Sequence, residues 1–234
     1  MKSTLLLGFG LLIVWGCGLD NQTATTPPST NSTENAPAAA SKEKTIIDLA
    51  SLGIAEHPEN QLGGLSVGQL APPFSGKDQN GEDFSLTSSL EKGPVVLIFY
   101  RGYWCGYCNR QLDAFAQELD QLRSKGVTVV AVSPESNEYA QKTAEKNGNA
   151  FALLSDSDQS IMQQYKVAFR VTADYQQKVK KYVEKDLTEM SGYAQATLPI
   201  PATYLIGQDG KVAYRFYDPN YRERASVQEI LSLL

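Results

Sequence analysis

Two short, unbroken apolar runs mark the middle of the chain, residues 94–101 (Pro-Val-Val-Leu-Ile-Phe-Tyr-Arg) and residues 127–132 (Val-Thr-Val-Val-Ala-Val). Runs of that length and uniformity are strands covered on both faces. Between them Leu112, Phe115, Ala116, Leu119 and Leu122 recur at steps of three and four, which predicts an amphipathic helix with Gly126 at its end. A helical pattern over residues 136–147, a shorter strand over 151–154 and a helix from 158 to about 165 follow. Residues 202–206 and 212–216 flank Gly207-Gln208-Asp209-Gly210 and read as a hairpin, and residues 226–234 read as a closing amphipathic helix.

Upstream, Phe74 and Phe84-Ser85-Leu86 bracket an Asn80-Gly81 turn signal, so residues 74–86 read as an N-terminal hairpin extension. Ile46, Ile47, Leu49, Ala50 and Ile54 suggest a short helix over 42–57. The order β-α-β-α-β-α, then a hairpin and a helix, predicts an α/β fold with a central mixed sheet, mostly parallel at its centre and flanked by helices. Residues 167–198 fall outside this pattern as an insertion, in which Lys178-Val179-Lys180-Lys181 reads as a solvated helix face.

The amino terminus has a different texture. Residues 1–16 carry Lys2, an apolar run from 5 to 15 and Gly16, the build of an export signal and too short for a comfortable membrane span. Val14-Trp15-Gly16-Cys17 resembles a bacterial lipobox, although Trp15 departs from the small residue usual there. That resemblance implies Cys17 as the lipid attachment site. An uncleaved hydrophobic anchor is the alternative, and both place the domain outside the cytoplasm, tethered to a membrane of the cell envelope. Residues 17–41 are then the anchor cysteine and a Thr/Ser/Asn/Pro/Ala tether with too little apolar surface to order itself, and 42–234 the folded domain.

A net charge of −5 without a basic cluster excludes a nucleic-acid surface. The single histidine, His57, is far in sequence from any candidate nucleophile and reads as a helix-end residue. The chemistry lies instead in Trp104-Cys105-Gly106-Tyr107-Cys108, directly after the first apolar strand. Cysteines at a helix start meet unpaired N–H groups and the positive end of the helix dipole, which favour the reactive thiolate. A static disulfide closing so small a loop would remove little chain entropy. One Cys-x-x-Cys supplies two ligands where structural zinc takes four, so neither a metal nor another cofactor is expected. Thiol redox chemistry remains, with Trp104 and Tyr107 flanking the sulfurs.

A strand ending in Trp-Cys-x-x-Cys, with a later proline before a hairpin, resembles the thioredoxin arrangement. Gly68-x-x-Ala71-Pro72-x-Phe74, the decapeptide from Phe99 to Cys108, Ser133-Pro134, Leu154-Ser155-Asp156 and the heptapeptide from Leu198 to Tyr204 are similar to the peroxiredoxin branch of that superfamily, the alkyl hydroperoxide reductase/thiol-specific antioxidant (AhpC/TSA) group. The resemblance spans roughly residues 45–234 and implies a thioredoxin-like fold and a thiol-dependent antioxidant enzyme. Its substrate would be hydrogen peroxide or an organic hydroperoxide, and a thioredoxin-type or other dithiol donor would recycle it.

That family frames its peroxide-reactive cysteine as Pro-x-x-x-Thr-x-x-Cys. Here Arg101 stands at the Pro, Cys105 at the Thr and Cys108 at the Cys. The family's strand arginine is replaced by Pro201, which matches the thioredoxin proline beside the active-site sulfurs. Arg101 is the candidate replacement for the lost positive charge, and an ion-paired strand end is its bland reading. Helix-start geometry favours Cys105 as the exposed nucleophile, whereas family register favours Cys108. The alternative chemistry is thiol–disulfide exchange on a protein disulfide, and the third reading is a non-catalytic binding module.

Overall fold

The computed structural model describes residues 62–234 together with Leu49 and residues 53–55. Within them β1 (Ser75–Lys77) and β2 (Asp83–Ser85) form the expected hairpin, antiparallel with Gly76 opposite Phe84, and Gly81 takes the positive φ of its turn. Then come α1 (Leu86–Leu90), β3 (Val95–Phe99), α2 (Gly106–Gln117), α3 (Leu119–Ser124), β4 (Thr128–Ser133), α4 (Asn137–Lys146), β5 (Ala152–Ser155) and α5 (Ser160–Gln164). The segment that fell outside the sequence pattern holds β6 (Ala168–Arg170), α6 (Ala173–Val183), α7 (Leu187–Ser191) and β7 (Thr197–Pro199). β8 (Ala202–Ile206), β9 (Val212–Tyr217) and α8 (Val227–Leu231) close the chain.

The central sheet has the order β5-β4-β3-β8-β9. β3, β4 and β5 run parallel, while β8 and β9 add antiparallel pairs, so the sheet is mixed and only one half of it is parallel. β3 sorts the core by simple alternation. Val96, Ile98 and Tyr100 face a cluster built with Leu112, Phe115 and Leu122 of α2 and α3, Ala140 of α4 and Ile230 of α8. Val95, Leu97 and Phe99 face the other cluster, with Leu86, Ile161, Met162 and Tyr165. Every residue of β3 is fully buried, as its apolar run requires.

Two expectations need correction. The helix after the cysteines is broken at Glu118 and ends at Ser124, so Gly126 lies just beyond α3 rather than ending one long helix. Residues 53–55, placed in a helix by periodicity, form a turn at Gly53 (φ +62°) and a bridge from Ala55 to Val171. The rest of that helix apart from Leu49, His57, the signal segment, Cys17 and the tether lie outside the described residues. Residues 167–198, read as an insertion, are part of the core. β6 and β7 pair, and Phe169, Val179, Leu187, Met190 and Leu198 gather with Ile54, Ala55 and Tyr139 into a third core cluster, against which Tyr103 and Trp104 pack. On α6 Val179 is buried, while Lys178, Lys180 and Lys181 face solvent, as read from the charge run.

Candidate active site

The site begins where β3 runs out. After Phe99 the chain continues through Tyr100 and Arg101 and turns at Gly102, whose φ of +142° favours glycine. A Cβ at Gly102 would also meet Glu135 Oε1 at 2.6 Å and Trp104 Nε1 at 2.9 Å. Glu135, just past β4, accepts a hydrogen bond from the Tyr103 backbone N–H at 2.5 Å and so holds the turn. The Cys105 N–H donates to Gly102 O at 2.9 Å, and Cys105 becomes the N-cap of α2, its Sγ accepting from the Cys108 N–H at 3.4 Å. Both sulfurs therefore sit at the positive end of a twelve-residue helix.

Two guanidinium groups converge on them. Arg101 Nη2 donates to Cys105 Sγ at 3.4 Å, and its Nη1 donates to the Tyr175 hydroxyl at 2.8 Å. The Arg101 guanidinium also lies over the rings of Tyr221, 4.4 Å away, and Trp104, 4.9 Å away. Arg224 Nη2 comes from the other side, 3.2 Å from Cys108 Sγ and 3.8 Å from Cys105 Sγ, while its Nη1 donates to Tyr221 O and Glu223 O. The Arg101 backbone N–H donates to Cys108 Sγ at 3.4 Å.

These surroundings separate the two thiols. A hydrogen bond from Cys108, together with Arg101 and Arg224, brings the Cys105 thiol down to about 5 against the pull of burial. Burial, and then the neighbouring Cys105 thiolate, push the Cys108 thiol up. Opposite charges at about 4 Å interact by about 4 kcal/mol at an effective dielectric of 20, enough for flanking guanidiniums to offset much of a thiolate's desolvation. Burial acts against the charge of Arg101 as well, but Cys105, Cys108 and Tyr175 keep it protonated. Burial also raises Glu135, to about 8.

The residues expected from sequence are brought together. Cys105 and Cys108 are free thiols within hydrogen-bond reach, Arg101 engages both, and Trp104 lies under the Arg101 guanidinium. Tyr107 stacks edge-on against Tyr221 and lies under Arg110. The register of β3 with β8, Phe99 opposite Ala202, sets buried Pro201 at the end of the strand that leads to the cysteines. Its carbonyl accepts from the Asp218 N–H at 3.2 Å, the root of the segment that carries Tyr221 and Arg224.

Cys105, expected to be the more exposed thiol, is 2% exposed and Cys108 0%, so both are buried, because Arg101, Trp104 and the two distant segments bearing Tyr175 and Tyr221–Arg224 surround the helix start. Arg224, Tyr175, Tyr221 and Glu135 are the functional residues that sequence reasoning missed. Arg224 lies 116 residues from Cys108, and no local spacing links them. Beside the cysteine loop a groove of about 320 Å³ is lined by Tyr103, Trp104, Gly106, Asn109 and Tyr182. A larger cavity, about 780 Å³, lies against β1, β2 and α3 and is lined by neither cysteine.

Comparison with known proteins agrees with this picture. The model of the AhpC/TSA family matches residues 67–215. Chloroplastic peroxiredoxin Q of Sedum lineare is 28% identical over 170 residues, 73% of this chain and 78% of that protein. Peroxiredoxin Bcp of Escherichia coli strain K12 is 34% identical over 103 residues, 44% of this chain and 65% of that protein. Among solved structures, peroxidoxin BcpB of Mycobacterium tuberculosis superposes with a TM-score of 0.56 at 20% identity, covering 72% of this chain and 96% of its own. The reduced 2-Cys peroxiredoxin of Plasmodium vivax does so with a TM-score of 0.53 at 24% identity, covering 72% and 94%. These two likenesses concern the fold.

Proposed function

The chain belongs to the AhpC/TSA family, and from that premise we propose that it is a thiol peroxidase in which Cys105 is the peroxide-attacking thiolate and Cys108 the resolving thiol. The observation that carries the assignment is the donor set at Cys105: as the N-cap of α2 its Sγ accepts from the Cys108 N–H and Arg101 Nη2, both at 3.4 Å, and from Arg224 Nη2 at 3.8 Å. These surroundings lower the Cys105 thiol, whereas burial raises Cys108, which stands at the family's peroxide-reactive position. Only a thiolate attacks the O–O bond. Burial of both sulfurs favours a small hydroperoxide over a protein disulfide as first substrate. The Nε–H groups of Arg101 and Arg224 are buried without an acceptor, and the oxygens of a hydroperoxide supply acceptors to such donors.

In this reaction the Cys105 thiolate attacks the distal oxygen, the O–O bond breaks, and Cys105 becomes a sulfenic acid as an alcohol or water leaves. Cys108 then condenses with it to a disulfide, which a thioredoxin-type dithiol donor reduces by exchange. Steady-state peroxide consumption with such a donor tests the assignment. Cys105→Ser and Cys108→Ser should both lose turnover, but only Cys108→Ser should still consume one equivalent of peroxide. Reduction of a protein disulfide by the wild type, with no peroxide turnover, would transfer the assignment to thiol–disulfide exchange. Turnover in neither assay would favour a binding module.

The domain is further proposed to work outside the cytoplasm, on a lipid carried by Cys17 and a tether of residues 18–41. Support comes from the signal-like residues 1–16 and the lipobox-like 14–17 alone.

A further inference from the structure

We propose that Arg224 is a catalytic residue of the second half-reaction, holding the negative charge of Cys108 while that sulfur attacks the Cys105 sulfenic acid. The proposal rests on Cys105 attacking peroxide first. It starts from a division of labour between the two guanidiniums. The Arg101 side chain reaches Cys105, and only its backbone N–H reaches Cys108. Arg224 reaches both sulfurs but leans the other way: its Nη2 is 3.2 Å from Cys108 Sγ and 3.8 Å from Cys105 Sγ.

Arg224 is also aimed in advance. Its Nη1 is fastened to the carbonyls of Tyr221 and Glu223, both at 2.6 Å. The Tyr221 ring in turn packs on the Arg101 guanidinium and against Tyr107. The root of the segment is tied at Asp218 N–H to Pro201 O, and Asp218 Oδ1 accepts from the Asn220 N–H at 2.8 Å. A guanidinium held in this way loses little side-chain freedom when the charge beside it develops.

The reaction gives such a residue a moment to act. In the dithiol enzyme Cys108 is kept protonated by burial and by the Cys105 thiolate. When Cys105 attacks ROOH, its sulfur takes the distal OH, the O–O bond breaks, and the departing RO⁻ receives the Cys108 proton to leave as ROH. Cys105 is then a neutral sulfenic acid, so the charge that opposed ionisation of Cys108 has gone, while Arg224 remains in place. The Cys108 thiolate attacks the Cys105 sulfur; the S–S bond forms, the S–O bond breaks, and hydroxide leaves with a proton from solvent as water. One peroxide is reduced and two thiols are oxidised.

The test is rapid mixing of the reduced full-length enzyme with hydrogen peroxide, following the change in tryptophan fluorescence and trapping sulfenic acid with dimedone for mass spectrometry. In Arg224→Gln the disulfide-forming phase should slow by about tenfold or more, the equivalent of roughly 1.4 kcal/mol of lost charge stabilisation, and its pH profile should move to higher pH. Sulfenic acid formation should slow by a clearly smaller factor, and sulfinic acid should accumulate at lower peroxide than in the wild type. Arg224→Lys, which keeps the charge without the paired carbonyl anchors, should recover part of the second phase and guards against a folding defect in the first variant. Equal slowing of both phases, or an unchanged second phase in both variants, would overturn the proposal. A wild-type dimedone adduct on Cys108 would instead overturn the order of attack, and this proposal with it.

Discussion

Thr143 has one hydroxyl proton, and its Oγ1 lies 3.1 Å from Tyr139 O and 3.4 Å from Glu135 Oε2. Burial raises the Glu135 carboxyl to about 8, with Cys105 adding to the shift and the Tyr103 N–H, Thr143 and Lys146 opposing it. Because the folded value lies above the ordinary carboxylate value of 4.5, the folded chain binds more protons across that interval. Stability conferred by the protonated group is present at low pH and lost as pH rises through about 8. Glu135→Gln mimics the protonated form. Its stability in urea should nearly match the wild type at pH 4.5 and exceed it by up to about 4 kcal/mol at pH 8. A gap of the opposite sign would show that Glu135 is ionised in the folded protein. At this scale Cys105, Cys108, Arg101 and Trp104 were legible because one strand-to-helix turn carries them all. The burial of Cys105 was not, since its cover comes from residues 175, 221 and 224, brought in only by tertiary packing.

At the scale of elements, the strands and the N-terminal hairpin were readable from period and turn chemistry, because each buries its residues against neighbours on known faces. The insertion was not readable. Phe169, Val179, Leu187, Met190 and Leu198 are spread over β6, α6, α7 and β7, each too short to show a period of its own, and only the assembled cluster shows that they are core. Its contribution to the site is Tyr175, at the start of α6, where Thr172 caps the helix by accepting from the Tyr175 N–H. Tyr175→Phe removes the 2.8 Å bond that fixes Arg101 Nη1 and leaves the ring. The Cys105 thiol should then titrate at higher pH, and the rate of single-turnover peroxide reduction at pH 6 should fall by about threefold to tenfold, the equivalent of about 1 kcal/mol for one lost hydrogen bond acting through Arg101. Thermal stability should change little. An unchanged thiol titration would mean that Trp104 and Tyr221 alone hold Arg101 in place.

For the whole molecule, β3 feeds the catalytic turn, the adjoining strand β4 leads to Glu135, the insertion brings Tyr175, and the segment after β9 brings Tyr221 and Arg224. The fold class was legible as a consistent order of elements, and the family as motifs distributed along most of the domain. The antiparallel pairing of β8 with β9 followed from their hairpin, whereas the antiparallel pairing of β8 with β3 is long-range and left no local signal. The amino-terminal reading has its own test: in a bacterial host the wild type should take up labelled palmitate and partition with membranes, and Cys17→Ser should do neither. Labelling that survives the substitution would refute Cys17 as the anchor.

The claim that organises all of this is that Cys105, beside two guanidiniums, meets the peroxide first. Its most direct test is to react the reduced wild type with one equivalent of hydrogen peroxide in the presence of dimedone, and to locate the adduct by peptide mass spectrometry, with Cys108→Ser and Cys105→Ser alongside. The account predicts the adduct on Cys105 in the wild type, more of it in Cys108→Ser, and none in Cys105→Ser. An adduct on Cys108 that persists in Cys105→Ser would contradict it.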